Sequence, residues 1–382
     1  MKIAINCAFF QPRGGGIKEY IQNLVENISV LDKKNKYVLY VLKDFEEYAK
    51  ENLKTDFKIK AVPFKGEGLV NVIYRSVFER FFWSQEEKIE KWDIFHSPFF
   101  HSHFPKKAKL LLTVHDMRFF RFPETYTFLR YQFLKRAVKH SINNAHKIIS
   151  ISQFTKDEIH AAYGTELNKI HVIHEAINPK HFSTSLLSQE DKKLIKNLKD
   201  ISFILSVGHL EPRKNYDRLI SAFQKIKKDL VPETKLVIIG KKGHSYENTL
   251  RTIQSDQDII YLNFVSQELL NWLYEHSSLF VFPSFYEGFG FPPLEAGIHG
   301  CISAVANISS IPEVCGDAAL YFNPYDIDNI AETIKIGMTN HTIREELKNK
   351  INAQISKFSW EDNAKQTIEI YESLVRVHSQ TE

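Results

Sequence analysis

LFVFPSFYEGFGFPPLEAGIHG, residues 279–300, decides the fold. Its first part is an apolar run that reads as a buried strand. The run breaks on Tyr286, Glu287 and Gly288. Pro292 and Pro293 then suit the first turn of a helix, where a missing N–H costs little. The segment is therefore strand, turn, helix, the unit from which parallel sheets are built. It also carries two carboxylates, Glu287 before the turn and Glu295 about one helical turn inside. The turn sets backbone N–H groups at the positive end of the helix, where an anion gains roughly 0.3–2 kcal/mol. Without context, Glu287 reads as a local cap and Glu295 as a surface acid.

The same unit recurs along the chain. KIAIN, YVLYVL, FKIKAV, DIFHS, KLLLTVHD, KIISIS and KIHVIHEA read as strands in the first half. FILSVGH, KLVIIG, IIYLN, LFVFPS, CISAVA and ALYFN repeat the pattern in the second. Several are continuously apolar, as parallel strands covered on both faces must be. Helix-length segments lie between them, for instance Gly16 to Val30 and Thr125 to Asn143, and three more begin near Asp326, Ile343 and Trp360. A polar, strandless stretch at 178–199 marks a seam. The expectation is two open parallel sheets, residues 1–180 and 181–359, with ligands outside the carboxyl ends of the strands and in the cleft between domains.

Composition narrows the class. The chain has 382 residues, 43% of them hydrophobic and 25% charged, which suits two globular domains. No apolar run approaches the ~18 residues of a membrane span. MKIAINCAFFQP lacks the features of a secretory signal. Cys7, Cys301 and Cys315 are too few and scattered for a disulfide framework or zinc site, so a reduced cytoplasmic protein is expected. Residues 1–180 carry 29 Lys and Arg against 20 Asp and Glu, a balance of +9. The remainder carries 21 against 26, a balance of −5. That asymmetry fits a first domain resting on an anionic surface, or simply a solvated basic face. No nucleic acid is expected as a partner.

Other motifs sit at strand ends. QPRGGGIKEY places glycines 14–16 before a helix, where a backbone can approach a phosphate or merely turn. HLEPRKNYDRLISAF sets Arg213 and Lys214 between a strand and a helix starting near Asn215, a fork and a point charge suited to a diphosphate or to solvent. His115 and Asp116 end the buried strand KLLLTV, and a polar pair leaving such a strand points into the cleft. His101 and His103 raise a metal reading, but no carboxylate or cysteine stands at ligand spacing. No metal site is expected.

Together these pieces resemble glycosyltransferase family 4, retaining enzymes of the GT-B fold, over nearly the whole chain. Glu287-GFGFPPL-Glu295 is similar to the family's paired-Glu hallmark. VGHLEPRKN matches its phosphate motif through Arg213 and Lys214. Gly15 and Gly16 match the N-terminal loop, His115 the histidine of the HD turn, and SISQFTKDEI the strand-end serine motif around Ser152. SSIPEVCGDAALYFNP is also typical. FSWEDNAKQTIEIYESL resembles the terminal helix, residues 360–382, that crosses back onto the first domain. His209, Asn263 and Glu175-Ala176 depart from residues usual in the family.

The resemblance implies two Rossmann-like domains facing across a cleft, with a nucleotide-diphospho-sugar donor on the second and a saccharide or lipid-linked saccharide acceptor on the first. Arg213 and Lys214 would neutralise the leaving diphosphate, helped by N–H groups of Gly288, Phe289, Gly290 and Phe291 and by the Gly15–Gly16 loop. Glu295 would hold the ribose, and Glu287 the sugar near its C3 and C4 hydroxyls. His115 would contact the sugar near C6, and Val265 the base. Asp116, Ser152 and His209 would serve the acceptor or the cleft. No cofactor or obligatory metal is implied. The HD, EPRKN and NISSIPEV runs look most like mannosyltransferases of bacterial surface-polysaccharide assembly, which implies GDP-mannose. A UDP-hexose donor, a non-catalytic sugar-nucleotide binder and a soluble-acceptor enzyme of the sucrose or trehalose type are the alternatives. The enzyme would be cytoplasmic, on the inner face of the membrane if its basic first domain meets lipid.

Overall fold

The computed structural model describes residues 1–12, 14–64, 69–100, 102, 103, 105–177 and 187–376, with backbone alone at 69–78 and 80. His101, raised above as a metal ligand, lies outside the described residues, as do parts of the seam and of the terminal helix. The chain divides into two compact units: Met1–Ala176 with Ser359–Glu382, and Ile177–Phe358.

All thirteen apolar runs form strands. In the first unit these are β1 (Lys2–Asn6), β2 (Lys36–Leu42), β3 (Lys58–Val62), β4 (Ile94–Ser97), β5 (Lys109–Val114), β6 (Lys147–Ser150) and β7 (Ile170–Val172). They make one parallel sheet in the order β3-β2-β1-β4-β5-β6-β7. In the second unit β8 (Phe203–Val207), β9 (Lys235–Ile239), β10 (Ile259–Leu262), β11 (Leu279–Phe282), β12 (Ser303–Ala306) and β13 (Ala319–Phe322) pair as β10-β9-β8-β11-β12-β13. This sheet is parallel too.

Burial follows position in the sheet. Central β11 and β12 are buried at every residue, whereas edge strands β3 and β10 are half-covered. Phe203, Phe223, Phe280 and Phe282 are fully buried in the second core. Each such side chain stabilises by roughly 1.5–3 kcal/mol through burial. Both sheets reverse direction of winding once, between β1 and β4 and between β8 and β11. In open α/β sheets ligands bind outside the carboxyl ends of the strands at such a reversal.

After Phe358 the chain rejoins the first unit as helix Trp360–Arg376. Its Trp360 meets the Tyr20 ring edge-on at 5.8 Å. Its Tyr371 hydroxyl lies 2.7 Å from His96 Nδ1, beneath the sheet. Among the described residues no helix is long and apolar enough to cross a membrane.

Candidate active site

In the second unit the switch point gathers residues far apart in sequence. Gly208 follows β8 directly, and a Cβ there would lie 3.2 Å from the Lys214 side chain and 3.1 Å from the Tyr216 hydroxyl. The missing side chain lets Lys214 lie against the strand end. Residues Pro212–Lys214 form a 3-10 turn, and the helix proper is Tyr216–Ile226. Between them Asn215 takes a left-handed conformation, which the expected helix start did not anticipate. Its side-chain amide offsets that strain by donating to the carbonyls of Pro283 (3.1 Å) and Pro324 (2.8 Å). The 212–215 turn is thereby tied to the segments that follow β11 and β13.

These tethers bring Lys214 to Glu287. Lys214 Nζ donates to Glu287 Oε1 at 2.6 Å, and Arg213 Nη1 lies 3.2 Å from Oε2. All three side chains are largely buried. Burial alone would raise the Glu287 carboxyl, but the two cations prevail and hold it at about 2. Burial pulls Lys214 below its ordinary range, against the attraction of Glu287. Glu287 is thus no helix cap. Held so low, it is also no proton acceptor near neutral pH.

Arg213 is engaged on several sides. Its guanidinium donates twice to Glu211, from Nε at 2.9 Å and from Nη2 at 2.5 Å, and once to the Tyr286 carbonyl at 2.5 Å. Two of these contacts stay within its own loop, and the one to Tyr286 braces the Glu287 turn. Ser310 closes the same turn, its hydroxyl 2.9 Å from the Glu287 carbonyl and 2.8 Å from that of Phe289.

The helix after the turn spans Phe291–Ile298, with Gly290 as N-cap and both prolines in its first turn. Gly288 is half-buried, while Phe289 packs inward against Phe291 and Phe358. Glu295 Oε2 accepts from the buried Tyr274 hydroxyl at 2.9 Å, so it is no free surface acid. Val265 is partly buried next to exposed Phe264, whose ring carries the Lys241 ammonium at 5.3 Å. His209 is exposed at the end of β8.

The first unit holds the remaining predicted residues. Helix Gly15–Leu31 follows β1. The glycine that the packing demands is Gly14, where a Cβ would lie 2.5 Å from the Phe9 carbonyl oxygen. A Cβ on Gly15 or Gly16 would meet nothing within 4 Å, leaving room in front of the loop. After β5, His115 Nδ1 lies 2.9 Å from Glu175 Oε1, and Nε2 lies 3.2 Å from the Pro98 carbonyl. Asp116 accepts from the Arg118 amide at 2.9 Å. Ser152, assigned to the acceptor or cleft, is instead fully buried as the N-cap of helix Gln153–Tyr163, accepting from the Thr155 amide at 3.1 Å. His103 stacks near Trp83 at 6.2 Å. Among the described residues no group of three or more His, Cys, Asp or Glu is placed to hold a metal ion.

Comparison with known proteins places both halves. A model for Glycosyltransferase Family 4 matches residues 14–181, and one for Glycosyl transferases group 1 matches 188–374. O-antigen chain mannosyltransferase B of Escherichia coli is 30% identical over 285 residues, 74% of each chain. The chain belongs to glycosyltransferase family 4. O-antigen chain mannosyltransferase RfbU of Salmonella typhimurium is 27% identical over 271 residues, 70% of each chain. A solved structure of Anabaena HepE with UDP and glucose superposes with a TM-score of 0.72 at 15% identity, covering 98% of this chain and 100% of that one. That likeness shows the GT-B fold.

Within this glycosyltransferase, several partners escaped sequence reasoning. Asn215, Tyr274 and Ser310 tie down the segment that carries the paired glutamates, each through a partner distant in sequence, while Glu211 holds Arg213 two residues away. Glu175 was visible only as an acid standing where the family usually has another residue.

Proposed function

We propose that the enzyme is a retaining mannosyltransferase that uses GDP-mannose without an obligatory divalent ion and builds a bacterial surface polysaccharide on a saccharide or lipid-linked saccharide. The observation that carries this reading is the buried Lys214–Glu287 pair at the switch point of the second sheet. An ammonium there is suited to the leaving diphosphate, and a carboxylate beside it to sugar hydroxyls. The names borne by the relatives from Escherichia coli and Salmonella typhimurium support mannose and the polysaccharide.

In this mechanism Lys214 neutralises charge on the departing diphosphate, and Glu295, steadied by Tyr274, accepts from the ribose. Glu287 fixes the sugar. Departure and attack occur on one face of the sugar, and donor phosphate assists acceptor deprotonation. Positioning and electrostatic stabilisation then supply most of the rate. GDP-mannose should raise the melting temperature in the presence of chelator and be hydrolysed slowly. A response to UDP-sugars alone would overturn the donor, loss of the response in chelator the metal-free binding, and absence of hydrolysis with every donor the catalytic reading.

We further propose that the first unit rests on anionic lipid at the inner face of the membrane. Tyr126 and Tyr131 are partly buried, but Phe128, Leu129 and Phe133 on helix Phe128–Asn144 are 73%, 80% and 58% exposed. Arg130, Lys135, Arg136 and Lys139 are exposed on the same helix. Each basic residue near a charged surface contributes about 1 kcal/mol, screened by salt. The protein should float with anionic vesicles at low salt and leave them at high salt, and Phe128→Ser with Phe133→Ser should weaken flotation. Absence of low-salt binding removes the proposal.

A further inference from the structure

The ring nitrogens of His115 both face acceptors. Nδ1 meets the Glu175 carboxylate, 2.9 Å away and only 3% exposed, and Nε2 meets the Pro98 carbonyl at 3.2 Å. A neutral imidazole carries one N–H and can satisfy one of them, whereas an imidazolium satisfies both. We infer that Glu175 is a positioning residue that keeps His115 in its doubly protonated form, giving the first unit a fixed cation at the end of β5.

The surroundings agree from each element packed on the ring. Asp116, the next residue, adds a second negative charge that favours the cation. From β4 comes His96, buried and drawn down to about 3 by its burial and by His115, so it stays neutral and does not compete. From helix Gly15–Leu31 comes the edge of the Tyr20 ring, centroids 4.8 Å apart, whose hydroxyl lies 3.2 Å from Thr113 Oγ1. The residue before Glu175 is held by helix Trp360–Arg376, where Asn363 donates to the His174 carbonyl at 2.8 Å. Burial works against the charge on His115, but Glu175 outweighs it and the histidine is raised above its ordinary value.

The pair accounts for an acid at position 175. A cation there attracts an anionic donor before any chemistry and stays aligned because both N–H bonds are directed. That consequence rests on the donor reading proposed above, but the protonation does not.

Long-range 1H–15N spectra of the labelled full chain, assigned with His115→Asn, test the protonation directly. At pH 6.5, the ordinary histidine midpoint, His115 should bear protons on both nitrogens and lose one only at higher pH. In Glu175→Gln the second proton should already be lost at pH 6.5, and the alkaline limb of the donor turnover profile should move to lower pH. A singly protonated His115 in the wild type at pH 6.5, its proton residing on Glu175 instead, overturns the inference. So does a midpoint unmoved in Glu175→Gln. Should that variant not fold, the wild-type titration decides. A wrong donor would change the turnover profile and leave the spectrum intact.

Discussion

Lys214→Ala is expected to weaken binding of GDP about 10- to 150-fold and to lower turnover further still. In the proposed mechanism the ammonium meets diphosphate charge that exists in the ground state and grows as the sugar departs, so both stages should suffer. The variant also strips Glu287 of its nearer cation, leaving Arg213 at 3.2 Å as its remaining charged partner. Breaking a buried pair in this way costs about 3–5 kcal/mol, so the second unit should melt earlier. Acid stability should respond with a definite sign. Glu287 is held at about 2, below its ordinary 4.5, so its stabilisation is complete above 4.5 and disappears as pH falls toward 2. Without Lys214 the carboxyl rises, and that loss should begin at higher pH. Calorimetry with GDP, initial rates and melting between pH 2 and pH 5 check the three effects. Unchanged GDP affinity together with unchanged turnover would remove Lys214 from the mechanism.

Glu287→Gln is expected to fail differently, with turnover down by about 10²-fold or more and GDP affinity nearly intact. The amide keeps the shape of the side chain but removes the charge that pairs with Lys214 and that, in the proposed mechanism, the sugar hydroxyls sense. Because the wild-type carboxyl is ionised throughout the range near neutrality, the defect should be flat with pH rather than confined to one limb. Some stability should be lost too, since Lys214 and Arg213 would keep their burial without their counter-ion. Full activity in this variant would make the turn at 282–300 purely structural.

How much of this was legible depends on the range of the signal. The strands were legible because parallel sheets demand continuous apolar runs, and LFVF is such a run over its whole length and KLVII over all but its first residue. The prolines at 292 and 293 marked the helix start for a local steric reason. The paired glutamates were legible as motif, but their chemistry was not. Nothing near position 287 announces that Lys214, 73 residues away, neutralises it. Nothing local to Arg213 announces that the Tyr286 carbonyl, 73 residues away, engages its guanidinium. Ser152 misled for the opposite reason: a serine at a strand end is equally apt to cap the next helix, and here it does. The triple glycine marked a tight loop, but only the tertiary approach of Phe9 shows that Gly14 has no room for a side chain, and only the backbone shows that Gly15 is left-handed.

The division of labour between the two carboxylates is the centre of the mechanism, and titration of GDP into the wild type, Glu295→Gln and Glu287→Gln tests it most directly. Glu295 lies inside the helix and pairs with Tyr274, while Glu287 lies before it and pairs with Lys214. Loss of a charge-assisted bond to the ribose should weaken GDP about 10- to 150-fold in Glu295→Gln, with Glu287→Gln close to the wild type. An equal loss of GDP affinity in the two variants would contradict the account.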